Sequence, residues 1–104
     1  MLTKFTQLSP AKQELIRLMQ RLNYGEIRRL PIVNGEPVLT PLPITVRTVK
    51  FGAENGARPQ ISLEDFALKD QVVGLLSEIS NVDDGEIESV EVKAGLPFMA
   101  MIRA

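Results

Sequence analysis

The sequence predicts a small α+β domain of two layers, with the element order α-β-β-β-α-β-β and a mainly antiparallel sheet that carries its helices on one face. Three observations predict this fold class. Apolar residues recur at the helical period in two segments, apolar and polar residues alternate in several others, and turn residues separate the segments. At 104 residues the chain has room for one domain, which we expect to span residues 1–104.

The first helix is predicted over residues 10–23. Ser9 can accept a backbone N–H at its start, and Pro10 loses no hydrogen bond at the first helical position. Gly25 is expected to end the helix, because glycine adopts the left-handed conformation without steric cost. Between these limits one apolar stripe follows the helical spacing: Ala11, Leu15, Leu18, Met19 and Leu22.

A hairpin is predicted next, with strands over residues 27–33 and 36–39. Asn34-Gly35 forms its turn, since both central positions of this tight turn require positive φ. Pro31 and Pro37 lack the N–H that a strand donates to its neighbour. We therefore expect at least one arm of the hairpin to lie at a sheet edge or to be irregular.

Three further segments lead to the second helix. Residues 44–51 are predicted as the third strand, with a bulge near Arg47-Thr48 where the apolar phase shifts. Residues 52–61 have no period, which predicts a loop. Ser62 is predicted to cap the second helix, with Asp65 in the reciprocal capping position.

The second helix has a wider apolar arc than the first, because Phe66 and Val73 extend its stripe to about half the circumference. That stripe consists of Leu68, Val72, Leu75, Leu76 and Ile79. The chain thus contains two helix-then-hairpin halves, whose sequences do not align well enough to establish a repeat.

The last two strands form a second hairpin. Residues 86–93 predict a strand with an acidic exposed face, and a turn around Ala94-Gly95 leads into the final strand at residues 96–102. That strand is apolar on both faces, so we expect it in the interior of the sheet, covered on two sides.

The charges are unevenly distributed along the chain. Residues 1–50 carry eight bases and three acids, whereas residues 51–104 carry four bases and ten acids, so the formal charges are +5 and −6. A fixed asymmetry of this kind is what a protein presents to a charged partner. The alternative is that the acidic half folds against the basic half and neutralises it.

The composition excludes several classes of function. Because the chain has no Cys and no His, it can form neither a disulfide nor a catalytic triad or dyad that needs these residues, nor a zinc or haem site with thiolate or imidazole ligands. We expect no cofactor, no metal and no enzymatic activity. A reaction would have to use carboxylates, Lys, Tyr24 or hydroxyls.

The sequence also predicts a cytoplasmic location without a membrane segment. The first residues are not followed by an apolar run of signal-peptide length, and no stretch approaches the roughly 18 residues that span a bilayer.

The first candidate site is a basic surface of the N-terminal half that could bind an acidic protein or nucleic acid. Arginine binds phosphate in a planar fork, glutamine can reach base edges or phosphates, and tyrosine can stack on a base. The alternative is a solvated helix face whose arginines pair with the protein's own acids. The residues concerned are Gln13, Arg17, Arg21, Tyr24, Arg28 and Arg29.

The second candidate is a ligand-binding loop ahead of the second helix. Its glycines would let backbone N–H groups converge on an anion, although Glu64 and Asp65 at the same helix end would repel phosphate. A purely structural loop is the alternative. The candidate residues are Lys50, Gly52, Asn55, Gly56 and Arg58.

The acidic residues Asp83, Asp84, Glu86 and Glu88 could in principle hold a divalent cation or divide acid and base roles. Their spacing departs from that of a calcium loop. We therefore interpret them as a soluble turn followed by the acidic face of a strand.

The last candidate is an oligomer interface. Two short helices on one face of a sheet leave its other face unsheltered, and methionine suits adaptable contact surfaces. We expect a homodimer buried through Phe66, Val73, Met99 and Met101. The sequence as a whole therefore predicts a non-enzymatic binding or assembly domain. Two alternatives stay open: a nucleic-acid-binding regulator using the first helix and hairpin, and a carboxylate-based enzyme.

Overall fold

A computed structural model describes residues 4–49, 51 and 69–103. After a short 3-10 helix at Phe5–Gln7 the elements are α1 (Pro10–Leu22), β1 (Gly25–Val33), β2 (Glu36–Pro37), β3 (Ile44–Arg47), α2 (Asp70–Val82), β4 (Gly85–Lys93) and β5 (Leu96–Ile102). This order confirms the predicted α+β class. All strand pairs are antiparallel.

The sheet has β1 and β4 at its centre. Its order is β2-β1-β4-β5. β3 also pairs with β1, along residues 25–28, whereas β2 pairs with Ile32 and Val33. β2 and β3 together therefore form one edge of the sheet, and β5 forms the other. Among the strands that the structure describes, the final strand is therefore an edge strand. The prediction that it is interior and covered on two sides was wrong, because its doubly apolar pattern reflects exposed apolar side chains rather than burial on both faces.

The predicted start of α1 is confirmed. The Ser9 hydroxyl accepts a hydrogen bond from the backbone N–H of Lys12 at 3.3 Å and donates one to the Glu36 carboxylate at 2.7 Å. The predicted end is displaced, since Asn23 takes the positive φ of 63° and Gly25 already begins β1. Asparagine tolerates positive φ better than most residues, which allows it to replace glycine here.

Three other predictions differ from the structure. Lys69 is extended, so α2 begins at Asp70, later than predicted, and the predicted cap at Ser62 and Asp65 lies outside the described residues. The residues of α2 that are buried are Val72, Leu75, Leu76 and Ile79, a narrower arc than predicted. β3 ends at Arg47 and pairs with β1 in unbroken register, without the predicted bulge.

The hairpins agree with the predictions. Asn34 and Gly35 have φ of 52° and 71°, and Ala94 and Gly95 have 53° and 75°. β2 has two residues and lies at the edge, as its proline predicts.

One core lies between the helices and a single face of the sheet. The strand residues that point into it are spaced alike in the two central strands, at Ile27, Leu30 and Ile32 of β1 and at Ile87, Val90 and Val92 of β4. The helices contribute mainly Leu15, Ile16, Leu18, Met19, Leu22, Val72, Leu75, Leu76 and Ile79.

The structure establishes an internal repeat that the sequence alone did not. Residues 70–97 repeat the helix, strand and turn pattern of residues 10–37 sixty positions later. We call residues 10–47 the first unit and residues 70–102 the second unit. Identical residues at equivalent positions are Leu15 and Leu75, Gly25 and Gly85, Glu26 and Glu86, Ile27 and Ile87, Gly35 and Gly95, and Pro37 and Pro97.

The two units are related by an approximate two-fold axis between β1 and β4. The axis exchanges β1 and β4, so the pair of Gly25 with Val92 is equivalent to the pair of Gly85 with Ile32. Each turn glycine donates its N–H to the residue that ends the other unit's helix: Gly35 to the carbonyl of Asp83 at 2.7 Å, and Gly95 to that of Asn23 at 2.8 Å.

Candidate functional site

The predicted basic residues of α1 are partly engaged within the protein. The amide of Gln13 donates to the backbone carbonyl of Leu8 at 2.9 Å. Arg17 lies over the ring of Phe5 at 4.4 Å and donates to the side chain of Gln20 at 3.4 Å. Arg21 is exposed in the last turn of the helix.

Arg28 and Arg29 lie on the other side of the molecule. Both stand between the inward-pointing Ile27 and Leu30, and both are exposed on the sheet face opposite the helices. Arg28 pairs with Glu26 at 3.3 Å and Arg29 pairs with Glu86 at 3.6 Å. The two guanidinium-bearing side chains are 51% and 75% exposed, so these are surface ion pairs of small energy.

The predicted basic residues are therefore divided between two surfaces. Arg17 and Arg21 belong to the helix layer, whereas Arg28 and Arg29 belong to the outer sheet face. A single flat anionic partner could not contact both sets at once. Arg29 is paired with a carboxylate of the second unit, which is the neutralisation that the charge distribution left open.

Tyr24 lines a small hollow of about 190 Å³ at the start of β1 and the end of β4. The hollow combines hydroxyl, carboxylate and ammonium groups, and its lining residues are Tyr24, Gly25, Thr48, Glu91, Val92 and Lys93. Lys93 holds its ammonium group over the ring of Phe98 at 3.9 Å.

The predicted ligand loop lies outside the described residues. This applies to Lys50, Gly52, Asn55, Gly56 and Arg58.

The acidic residues at the start of β4 have structural partners. The Asp84 carboxylate accepts the backbone N–H of Asn34 at 2.9 Å, and Asp83 ends α2. Glu86 pairs with Arg29, and Glu88 pairs with Arg103 at 3.1 Å. In the described ranges no group of three acidic residues is placed to hold a metal ion.

Sequence reasoning did not predict a groove that lies between α2 and β5. It has a volume of about 380 Å³ and runs along one side of the helix and the edge strand. The helix contributes Gln71, Gly74, Leu75 and Glu78, and the strand contributes Pro97, Phe98, Met99, Ala100 and Ile102.

The apolar residues of β5 are exposed beside this groove. Phe98 is 61% exposed and lies where the register of β5 against β4 shifts. Met99 and Met101 are 53% and 57% exposed and stand opposite Glu91 and Ser89, on the sheet face away from the helices.

The predicted interface residues are thus only partly brought together. Met99 and Met101 share one strand and one face. Val73 is exposed on α2 but does not line the groove, since it lies about 100° or more around the helix from Gly74 and Glu78. Phe66 lies outside the described residues.

The sequence did carry one signal for the groove. Gly74 lies inside α2, where glycine lowers helix stability. A Cβ atom at Gly74 would have no neighbour within 4 Å among the described residues. No contact in that part of the chain therefore requires glycine at this position.

Comparisons with family models, with curated proteins and with solved structures give no match for this chain. Neither α1 nor α2, the α-helices of the described residues, is long and apolar enough to cross a membrane.

Proposed function

We propose that the protein is a small non-enzymatic binding and assembly domain that forms a homodimer through the surface of β5 and α2. The observation that supports this most directly is the composition of β5. Residues 96–102 carry no charge, lie at the sheet edge and expose Phe98, Met99 and Met101.

An edge strand of this kind favours pairing with another strand. Its outer edge presents backbone N–H and C=O groups that no described strand satisfies. Proteins protect such an edge with charged side chains, proline or bulges; β5 has Pro97 and a register shift near its start, but its remaining residues 99–102 carry no charge. Burying the exposed apolar side chains in a second copy would contribute about 25 cal/mol for each Å² removed from water.

The other sheet edge is less suited to the same role. β3 has four residues, ends at Arg47, and follows a segment that contains Pro41 and Pro43. It exposes Ile44 and Val46, but an in-register pair of such short strands would bury less apolar surface than β5.

Binding of nucleic acid or an acidic protein through the basic residues has less support. The arginines are divided between two surfaces, and Arg28 and Arg29 already pair with carboxylates. Few phosphate contacts are then available on either side, and such contacts supply most of the affinity for nucleic acid. A carboxylate-based enzyme has less support still, because Glu86 and Glu88 are used in surface ion pairs.

The molar mass in solution tests the proposal. Light scattering at tens of micromolar is expected to give about twice the 11.5 kDa of the chain. Met101→Lys introduces a charge into the proposed interface and is expected to give the monomer mass. Ile44→Lys is the matched control, since it introduces the same charge at an equally exposed apolar residue on the opposite edge.

Each result has a defined meaning. A mass near 11.5 kDa for the unmodified chain contradicts the homodimer. Dissociation by Ile44→Lys but not by Met101→Lys would assign the contact to β3 and contradict the surface proposed here.

A further inference from the structure

The middle of α2 has a feature that the protomer does not explain. Gly74 is exposed and helical, and no atom of the described residues lies within 4 Å of where a Cβ would lie. Glycine destabilises a helix interior relative to alanine, so its presence here has a cost that no contact among residues 4–49, 51 and 69–103 offsets. A helix-interior glycine does have a benefit where another backbone approaches closely.

We infer that α2 packs antiparallel against α2 of a second copy across Gly74, while β5 pairs with the β5 of that copy. This inference rests on the proposed homodimer and specifies its geometry. A two-fold axis would pass near Gly74 and Leu75 in the helix layer and near Ala100 in the sheet, which are the midpoints of the two walls of the groove.

The wall of the groove formed by α2 is complementary to itself under this axis. Gln71 and Glu78 lie at equal distances on either side of the midpoint between Gly74 and Leu75. Antiparallel packing therefore brings Gln71 against the partner's Glu78, where the amide N–H can donate to the carboxylate. The same contact forms twice in a two-fold dimer, because an isologous interface uses each contact in both directions.

The strand wall is also complementary to itself. An antiparallel pair centred on Ala100 places Met99 beside the partner's Met101 on the outer sheet face. No charged residue lies between Leu96 and Ile102, so the pairing brings no like charges together. The four methionines would form one apolar cluster on the face that the helices do not cover.

The two pairings are compatible in distance. Neighbouring strands lie about 4.8 Å apart, and α2 packs against β5 at the edge of the sheet. Helices that pack side by side on one continuous sheet lie about 10 Å apart, which is the separation expected if the sheet continues from one copy into the other. Close packing at this separation favours a residue without a side chain at the crossing point.

The first test substitutes Gly74, the residue at which the two helices are inferred to cross. Gly74→Leu adds a side chain into open space in the protomer, so the chain is expected to fold, as far-UV circular dichroism and the thermal midpoint will show. The dissociation constant of the dimer from analytical ultracentrifugation is expected to rise at least 100-fold. Ser77→Leu is the matched control on an exposed position of α2 outside the groove, and it is expected to leave the constant within about twofold.

The second test exchanges charges across the axis. Gln71→Glu places two carboxylates at each contact and is expected to raise the dissociation constant at least tenfold in low salt. Gln71→Glu combined with Glu78→Lys places a carboxylate against an ammonium group and is expected to restore the dimer. Within one chain the two positions are about 10 Å apart along the helix, so a rescue reports on the contact between copies.

The outcomes separate this inference from the proposed function. A dimer that Met101→Lys disrupts but that neither Gly74→Leu nor Gln71→Glu weakens would overturn the helix packing and leave the β5 homodimer in place. A chain that is monomeric without any substitution would overturn both. Weakening by Gly74→Leu and Gln71→Glu, together with rescue by the charge exchange, supports the geometry inferred here.

Discussion

The first and second units have the same helix, strand and turn, and they differ most after the equivalent prolines Pro37 and Pro97. Beyond Pro37 the first unit leaves the sheet and Leu39 enters the core with 6% exposure, before β3 returns to the edge. Beyond Pro97 the second unit continues along β4, and the equivalent Met99 is 53% exposed.

The same difference extends to the helices. Leu18 of α1 is buried, whereas the equivalent Glu78 of α2 is exposed and lines the groove. The residues that follow the equivalent prolines therefore differ in burial, since Leu39 of the first unit lies in the core and Met99 of the second unit is exposed. The proposed homodimer would use the exposed side of the second unit.

The largest contrast is expected at the first glycine of each unit. In Gly25→Ala the new Cβ would meet the backbone carbonyl of Val46, so β3 must separate from β1, and we expect a loss of about 4 kcal/mol in the free energy of unfolding. In Gly85→Ala the new Cβ would meet only a methyl group of Val82 at 3.2 Å, and we expect a loss of about 1 kcal/mol or less. Urea denaturation of both variants measures the contrast, and equal losses would contradict the difference between the two edges.

The next contrast concerns the residues that follow the prolines. Leu39→Ala removes a buried side chain from the core and is expected to cost about 3 kcal/mol. Met99→Ala is expected to cost about 0.5 kcal/mol or less at concentrations where the chain is monomeric, because half of the side chain is already in water. Denaturation at low and high protein concentration checks this, since Met99→Ala should become more costly as the dimer forms. A cost for Met99→Ala that is independent of concentration would argue against its role in assembly.

The smallest contrast lies in the hairpin turns. Ala94 has a φ of 53°, which is unfavourable for a residue with a Cβ and no polar side chain, whereas Asn34 at the equivalent position tolerates its φ of 52°. We expect Ala94→Asn to raise the free energy of unfolding by about 0.5 to 1 kcal/mol and Asn34→Ala to lower it by a similar amount. Thermal midpoints that shift in opposite directions would confirm that the two turns have the same backbone requirement. Shifts in the same direction would contradict it.

The sequence predicted the element order because each signal was local. The cap at Ser9-Pro10 and the turn at Asn34-Gly35 depend on residues that are neighbours in the chain, and both are confirmed. The repeat was not predicted because the two units share few identical residues. Six identities are spread over 28 equivalent positions, and the rest of the similarity lies in which residues are buried, which only the structure gives.

The position of β5 could not be predicted in the same way. Its uninterrupted apolar sequence is compatible both with a strand covered on two faces and with an exposed edge strand, and only the pairing of β1 with β4 decides which strand is outermost. The start of α2 was also misplaced, because α2 begins at Asp70 after an extended Lys69, whereas the capping pattern of Ser62 and Asp65 lies outside the described residues. The groove follows from both of these features and was therefore beyond local reasoning, apart from the signal of Gly74.

The exchange of hydrogen bonds between hairpin turns and helix ends has a consequence for how the chain loses its structure. Since the amide of Gly35 is bound to Asp83 and that of Gly95 to Asn23, opening either hairpin exposes the last carbonyl of the opposite helix to solvent. The halves should accordingly melt as one cooperative body, with these two amides exchanging their hydrogens at the same slow rate as the deepest part of the sheet.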